Sequence, residues 1–280
     1  MKFIVFALIL IPTLSFSQIN IKGVVCNSKG TPLSFTNIVS VKKQNGTATD
    51  EKGKFYLENL QKIDTLKITN ISYYSKLVSV ETLLKNDTIF LNENTKTLDE
   101  VTINNFGNFK TEQDLGYLNF KTNASFDLKP GGQIALFIEN KMKRIGWIKE
   151  VSFKSKSQGK CKCGIRIRLI QPDASRRNPD LDLLNDNVIV NSKDLKRTNR
   201  INLSDYKILM PKNGLFVVLE WLYSDNDCDK NSFPNILGNM AIATDLVWFN
   251  YRDKNWQHNY RPRVPNGNYM TPNIGLKVAY

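Results

Sequence analysis

Asn45-Gly46-Thr47-Ala48-Thr49-Asp50-Glu51-Lys52-Gly53-Lys54-Phe55-Tyr56-Leu57 is the stretch that decides the fold of this chain. It holds two glycine turns, at Asn45-Gly46 and at Lys52-Gly53, between short strand-like pieces, which is how a small antiparallel sandwich is written. Upstream, Ile19, Ile21, Gly23 and Val25 alternate with Asn20, Lys22 and Val24 and give a strand with one inward face. Asn27 to Pro32 is turn chemistry, and Phe35 to Val41 is the next strand, closed by Asn45-Gly46. Downstream, Phe55 to Leu57, Thr65 to Ile71, Leu77 to Val80 and Thr88 to Leu91 bring the total to about seven short strands. That spacing predicts an immunoglobulin-like or transthyretin-like sandwich over residues 18–92.

Several strings in this region carry a family likeness: Gly23-Val24-Val25, Pro32-Leu33, Thr49 to Phe55, Ile71-Ser72-Tyr73-Tyr74 and Leu98-Asp99-Glu100-Val101. Together they resemble the carboxypeptidase-like regulatory domain of secreted Bacteroidota-type proteins. The last string is similar to the segment that follows this module in TonB-dependent outer-membrane receptors. One departure is Ser72, where the family often has glycine before the tyrosine. The likeness covers roughly a third of the chain, and its motifs specify turns and core positions, so it implies a fold and not a reaction.

The chain begins with the pattern of an export signal. Lys2 supplies a positive start, Phe3 to Leu14 an apolar run broken by Pro12, and Ser15-Phe16-Ser17 a small-x-small cleavage site. That run is short for ~30 Å of hydrocarbon, so residues 1–17 read as a signal peptide and not an anchor. The expected location is the periplasm, the outer membrane's surface or the medium, with no transmembrane segment in the mature chain. The remaining 263 residues (280 minus 17) suggest two domains. Residues 93–117, rich in Asn, Thr and Gly, read as a linker, and 118–280 as a second antiparallel β-sandwich, jelly-roll-like. No helical period is sustained over three turns there. Phe126-Asp127-Leu128, Gly132 to Ala135, Leu183 to Asn187 and Gly214 to Leu222 resemble the C-terminal half of secreted Bacteroidota proteins that carry this module. That likeness implies no activity.

The residues that serve catalysis are scarce. The single histidine, His258, sits in Trp256-Gln257-His258-Asn259-Tyr260 and reads as a surface or loop residue. Zinc hydrolases need two or three imidazoles, and no Gly-x-Ser-x-Gly elbow is present for a serine nucleophile. The chain therefore resembles only the accessory domain of the carboxypeptidases, not the enzyme. No catalytic residue, metal or cofactor is expected, although a glycosidase needs only two carboxylates and stays an alternative. Four cysteines, Cys26, Cys161, Cys163 and Cys228, allow three full pairings. Cys161 and Cys163 fall in line with Ile165, Ile167 and Leu169, which marks them as small core residues. In an oxidising compartment a bridge from one of them to Cys26 or Cys228 is open.

Charge supplies the functional lead. The formal net charge is +13, and +12 without Lys2. Residues 141–200 hold 16 Lys or Arg against 6 Asp or Glu, a net +10. By strand parity Ser152, Lys154 and Lys156 share one face, and Lys160, Lys162, Arg166 and Arg168 share another. A turn at Ser157-Gln158-Gly159 would fold these strands into a hairpin and gather the cations on one sheet face. Arg176-Arg177 and Lys196-Arg197 extend the basic supply. Glu220 is expected outward and able to relieve the repulsion if Trp221 faces the core. Trp256, Tyr260 and Tyr269 lie in loop-like sequence where rings can stack on sugars. The sequence thus points to an exported, non-enzymatic binding or scaffold protein of the cell envelope. An anionic or glycan ligand would meet Lys154, Lys156, Lys160, Lys162, Arg166, Arg168, Trp256 and Tyr260. The alternative is a protein partner in an outer-membrane receptor complex. No specific nucleic-acid partner is expected of an exported chain.

Overall fold

The computed structural model describes residues 18–43, 45–94, 109–156, 163–175, 178–222, 233–242, 246–251, 255–258 and 269–280. The signal segment 1–17, Leu98 to Val101, Lys160, Cys161, Lys162, Arg176-Arg177, Cys228 and Tyr260 lie outside these residues.

The protein is all-β. Its first sandwich contains β1 (Ile19–Asn27), β2 (Asn37–Ser40), β3 (Gly46–Ala48), β4 (Lys54–Leu60), β5 (Thr65–Thr69), β6 (Lys76–Ser79) and β7 (Thr88–Leu91), with one short helix, α1 (Val80–Lys85). The strands form two sheets, in the orders β4-β1-β7 and β3-β2-β5-β6. All pairings are antiparallel except β1 with β7, so the sheet is mixed where the sequence suggested a purely antiparallel one. The decisive stretch behaves as its chemistry dictates. The Asp50 carboxylate accepts from the backbone N–H groups of Lys52 and Lys54, both at 2.8 Å, and so makes an Asx turn. Gly53 completes that turn at φ +72°, where an added Cβ would also meet the Val25 carbonyl oxygen at 2.8 Å. Asn45-Gly46 does close a β2–β3 hairpin, but through a loop that begins at Val41.

Inward residues of both sheets meet in one core, among them Ile21, Val25, Ile38, Phe55, Leu57, Leu60, Leu66, Ile68, Ile89 and Leu91. Each such side chain contributes about 1.5–3 kcal/mol of burial. Helix α1 adds Val80 and Leu83 to this core, and Ser79 caps its start by accepting from the Thr82 N–H at 3.1 Å. No sequence signal singled this helix out, because six residues are too few to show a period.

The second sandwich contains β8 (Glu112–Gly116), β9 (Ala124–Phe126), β10 (Gly132–Ile138), β11 (Gly146–Lys156), β12 (Gly164–Pro172), β13 (Pro179–Asp182), β14 (Val188–Asn191), β15 (Thr198–Asn202), β16 (Leu209–Met210), β17 (Leu215–Trp221), β18 (Asn235–Ile242), β19 (Val247–Tyr251), β20 (Gln257–His258), β21 (Tyr269–Pro272) and β22 (Ile274–Ala279). One sheet runs β13-β12-β17-β10-β19-β20, with β14 also on β12. The other runs β21-β18-β11-β22-β8, with β15 and β16 on β11 and β9 on β18. Their inner faces meet through Ile134, Leu136, Ile165, Ile167, Leu169, Leu219 and Trp221 on one side and Ile148, Val151, Phe153, Ile236, Leu276 and Val278 on the other. Strand β8 falls inside the stretch read as linker. It pairs with β22 from Gly116↔Gly275 to Glu112↔Ala279, so the ordered second half begins before residue 118.

The expected hairpin of the basic strands does not form. β11 pairs with β15, β16, β18 and β22, whereas β12 pairs with β13, β14 and β17, in the opposite sheet. Over the described residues the parity of each strand was right, and their partnership was not. Alternation says which residues share a face but not which strand lies next door. Among the described residues no helix is long and apolar enough to cross a membrane.

Candidate functional site

The outer face of the β12–β17–β10–β19 sheet is not a solvated surface. Register sets Arg166 opposite Glu220, Glu220 opposite Gln133, and Gln133 opposite Asn250. The result is one polar row across four strands, with relative exposures of only 2%, 1%, 1% and 7%. Beside it runs an apolar patch of Ala135, Ile170, Phe216, Val218 and Trp248, against which Phe137 and Trp256 pack. The first sandwich covers one end of the row. Asn37, on β2, donates to Glu220 Oε1 at 2.5 Å, and an Arg166 Nη2 donates to the Phe35 carbonyl oxygen. Arg166 Nη1 lies 3.5 Å from Glu220 Oε2. A buried cation is thus matched to a buried carboxylate, as the cost of isolating either requires.

Beyond that contact the two sandwiches diverge into an open groove of about 930 Å³. From the first sandwich come Lys67, Asn70, Ser72, Tyr73, Tyr74 and Glu93; from the second come Gln133, Arg168, Asp180, Asp182, Asn250 and Trp256. Arg168 is tied down, donating through Nε and Nη2 to the two Asp182 oxygens at 2.9 and 2.6 Å, and through Nη1 to Gln133 Oε1 at 3.1 Å. The wall therefore presents two cations, Lys67 and Arg168, against three carboxylates, Glu93, Asp180 and Asp182. Arg168 and Asp182 cancel as a bidentate pair. Glu93 and Asp180 make no ion pair among the described residues. Despite the chain's net charge of +13, this groove is close to neutral. Tyr74, 51% exposed, lies on one wall, and Trp256 on the other.

One rim contact explains the departure noted in the sequence. Ser72 sits at φ +65°, in the left-handed region that glycine enters without strain. Its hydroxyl donates to Asn185 Oδ1 at 3.0 Å, across to the second sandwich. A glycine there would relax the backbone and remove the bridge.

The residues singled out from the sequence separate into three groups. Arg166, Arg168 and Trp256 belong to the sandwich interface and groove, with Arg166 sealed under the first sandwich. Lys154 and Lys156 lie on the outer face of the other sheet. Lys160, Lys162 and Tyr260 lie outside the described residues. Glu220 is outward on its strand and Trp221 inward, its Nε1–H donating to the Pro234 carbonyl oxygen at 2.7 Å. His258 is not a loop residue: it sits on β20, half-buried, with its ring 4.1 Å from that of Trp248. Cys26 and Cys163 are buried, unbridged thiols. Burial pushes the Cys163 thiol up to about 11, which keeps it neutral and unreactive at ordinary pH. Among the described residues no group of three His, Cys, Asp or Glu side chains is placed to hold a metal ion.

Sequence reasoning passed over Tyr74, Gln133, Asp180, Asp182 and Asn250. A signal was present for two of them. Gln133 opens the apolar run Ile134 to Ile138 and Asn250 interrupts Val247 to Tyr251, each at the outward parity. Polar residues in otherwise apolar strands mark a face that is buried yet wet at one edge.

Residues 21–103 match the family model of the CarboxypepD_reg-like domain. The match spans the first sandwich and runs into the segment behind it, and it leaves the second sandwich unmatched. No curated protein matches the chain.

Proposed function

We infer that the protein is an exported, non-catalytic binding protein, and that its groove takes a neutral oligosaccharide. The observation that carries this reading is the lining of the groove. The amides of Asn70, Gln133 and Asn250 and the carboxylate of Asp180 line it together with the rings of Tyr74 and Trp256, around about 930 Å³. Planar amide and carboxylate groups reach vicinal hydroxyls in pairs, and aromatic faces stack on the apolar faces of pyranose rings. The volume lies at the upper end of the range for small-molecule sites. Near-neutral walls favour an uncharged ligand over the polyanion that the overall charge suggests. The scarcity of imidazoles and the protonated Cys163 thiol support a binding role rather than catalysis.

The test is calorimetric titration of the chain from Gln18 with neutral gluco-, manno- and xylo-oligosaccharides of four to six units. Binding is expected to change little between low and high salt. Tyr74→Ala should weaken it about tenfold, the loss of roughly 1.4 kcal/mol of stacking. Failure of every neutral glycan to bind at millimolar concentration, or binding untouched by Tyr74→Ala and Asn250→Ala together, refutes the assignment. Release of reducing ends would replace it with a glycosidase.

A further inference from the structure

We propose that the outer face of the sheet opposite the groove docks the protein on an anionic lipid surface. The face is built around the last turns of β11. Lys154 and Lys156 point outward there, because Phe153 and Ser155 take the alternate, buried positions. The segment entering β15 is fastened beside them. Ser155 Oγ donates to the Lys196 carbonyl oxygen at 2.9 Å, and the Ser155 N–H to the Arg197 carbonyl oxygen at 3.1 Å. Lys193, Lys196 and Arg197 are all exposed in that segment.

Two carboxylates belong to the same neighbourhood. Asp194 lies in the Lys193 turn, and Asp127 lies next to β9, two strands or about 10 Å from Lys156. Glu150, farther along β11, is engaged by Arg200 at 3.0 Å and by the Ser152 hydroxyl at 2.6 Å. With exposed Lys121, the cations Lys154, Lys156 and Lys196 lie on the face, and Lys193 and Arg197 stand exposed at its edge, six in all. Against Asp127 and Asp194 that leaves a net +4. Like charges this close repel across a sheet and are relieved by an anionic partner.

A lipid surface, rather than a soluble polyanion, is favoured by Phe120. The residue is 44% exposed, its ring lies 5.3 Å from that of Tyr117, and Lys154 Nζ donates to its carbonyl oxygen at 3.2 Å, which holds the aromatic beside the cations. A ring next to lysines enters the headgroup boundary, where apolar burial and charge attraction act together. Because this sheet backs onto the one that carries the groove, a docked molecule keeps the groove facing away from the lipid.

The experiment is co-sedimentation of the chain from Gln18, which holds both cores, with vesicles. One set is phosphatidylcholine alone, and the other carries about a third phosphatidylglycerol. Binding to the anionic vesicles at 50 mM salt and its loss at 500 mM are expected, on the order of the screening that exposed charges undergo. Each cation removed should lower partitioning about fivefold, so Lys156→Gln with Lys196→Gln and Arg197→Gln lowers it about a hundredfold. Phe120→Ser should weaken vesicle binding and leave retention on immobilised heparin unchanged. Equal binding to neutral vesicles, no binding at low salt, full binding by the triple variant, or indifference to Phe120→Ser each overturns the proposal. Unchanged tryptophan fluorescence of the variants excludes misfolding as the cause. Oligosaccharide titration is independent of this face, so failure here and failure of the groove assignment are read separately.

Discussion

Glu220 is the sharpest probe of how the two sandwiches sit together. It is 1% exposed, accepts from Asn37 Nδ2 at 2.5 Å and lies 3.5 Å from Arg166 Nη1, with Arg168 Nη1 at 4.0 Å. Glu220→Ala leaves the Arg166 guanidinium, itself 2% exposed, as an unmatched buried charge. Breaking one member of a buried pair costs about 3–5 kcal/mol, whereas the same change in an exposed pair costs about 0–1 kcal/mol. Arg166 is buried only because the first sandwich lies over it, as its bond to the Phe35 carbonyl shows. The size of the loss therefore measures docking. All four tryptophans, Trp147, Trp221, Trp248 and Trp256, belong to the second half. Their fluorescence follows its unfolding without interference from the first. A loss of 3–5 kcal/mol corresponds to a fall of about 6–20 °C in midpoint for a unit of this size. The double variant Arg166→Met with Glu220→Leu should recover most of it, because a buried ion pair replaced by apolar groups of like volume is near neutral. A loss under about 1 kcal/mol for Glu220→Ala alone would show the face to be wet and the reasoning wrong.

Two further outcomes follow from local chemistry. Ser72→Gly relieves a left-handed backbone that costs a non-glycine residue about 1–3 kcal/mol, so thermal unfolding of the first sandwich, followed by amide hydrogen exchange of β1 to β7, should move upward while the bridge to Asn185 is lost; a lower midpoint would mean the bridge outweighs the strain. Asp64 loses solvation on burial, but the Lys43 ammonium at 2.8 Å and the Gln61 N–H at 2.8 Å outweigh that and hold its carboxyl below the usual carboxylate range. The stability this supplies is present above about pH 4, the unfolded value, and is lost as pH falls through the lower folded value. Asp64→Asn should accordingly cost about 1–3 kcal/mol at neutral pH and progressively less in acid; a pH-independent cost would refute the charge assignment.

What was legible in the sequence is what depends on neighbours along the chain. Asp50 and Gly53 specify their turn locally, so the first sandwich could be read from thirteen residues. Parity placed Ile165, Ile167 and Leu169 in the core and set Glu220 outward on the condition that Trp221 faces inward, as it does, because alternation is a property of a single strand. Helix α1 was hidden by its six residues, and β8 by the polar sequence Glu112 to Gly116, whose alternation is weak on an edge strand. The hairpin of β11 with β12 was wrongly expected because two basic strands joined by Ser157 to Gly159 fit a local rule, whereas strand partnership is settled by distant segments such as β15 and β17.

The groove was illegible for a related reason. Outward parity was taken to mean solvent, and for Lys154 and Lys156 it does. Arg166 and Arg168 have the same parity on their strand, yet one is sealed beneath the first sandwich and the other is clamped by Asp182. The difference between the strands lies in what faces them. β12 is followed in register by Glu220, Gln133 and Asn250, and a row of polar groups across four strands can be buried only if each finds a partner. β11 carries a polar row of its own, Asn202, Glu150, Lys277 and Asp114 in register across four strands, but it is not sealed; farther along, Lys154 stands opposite Thr198 and Lys156 opposite Asn235. Register alone therefore does not separate the two faces; what decides is the cover, for the first sandwich lies over Arg166 whereas Lys156 is exposed. Among the described basic residues of 141–200, Arg166 and Arg168 are therefore built into the interface and its groove, while Lys156, Lys193, Lys196 and Arg197 stand exposed.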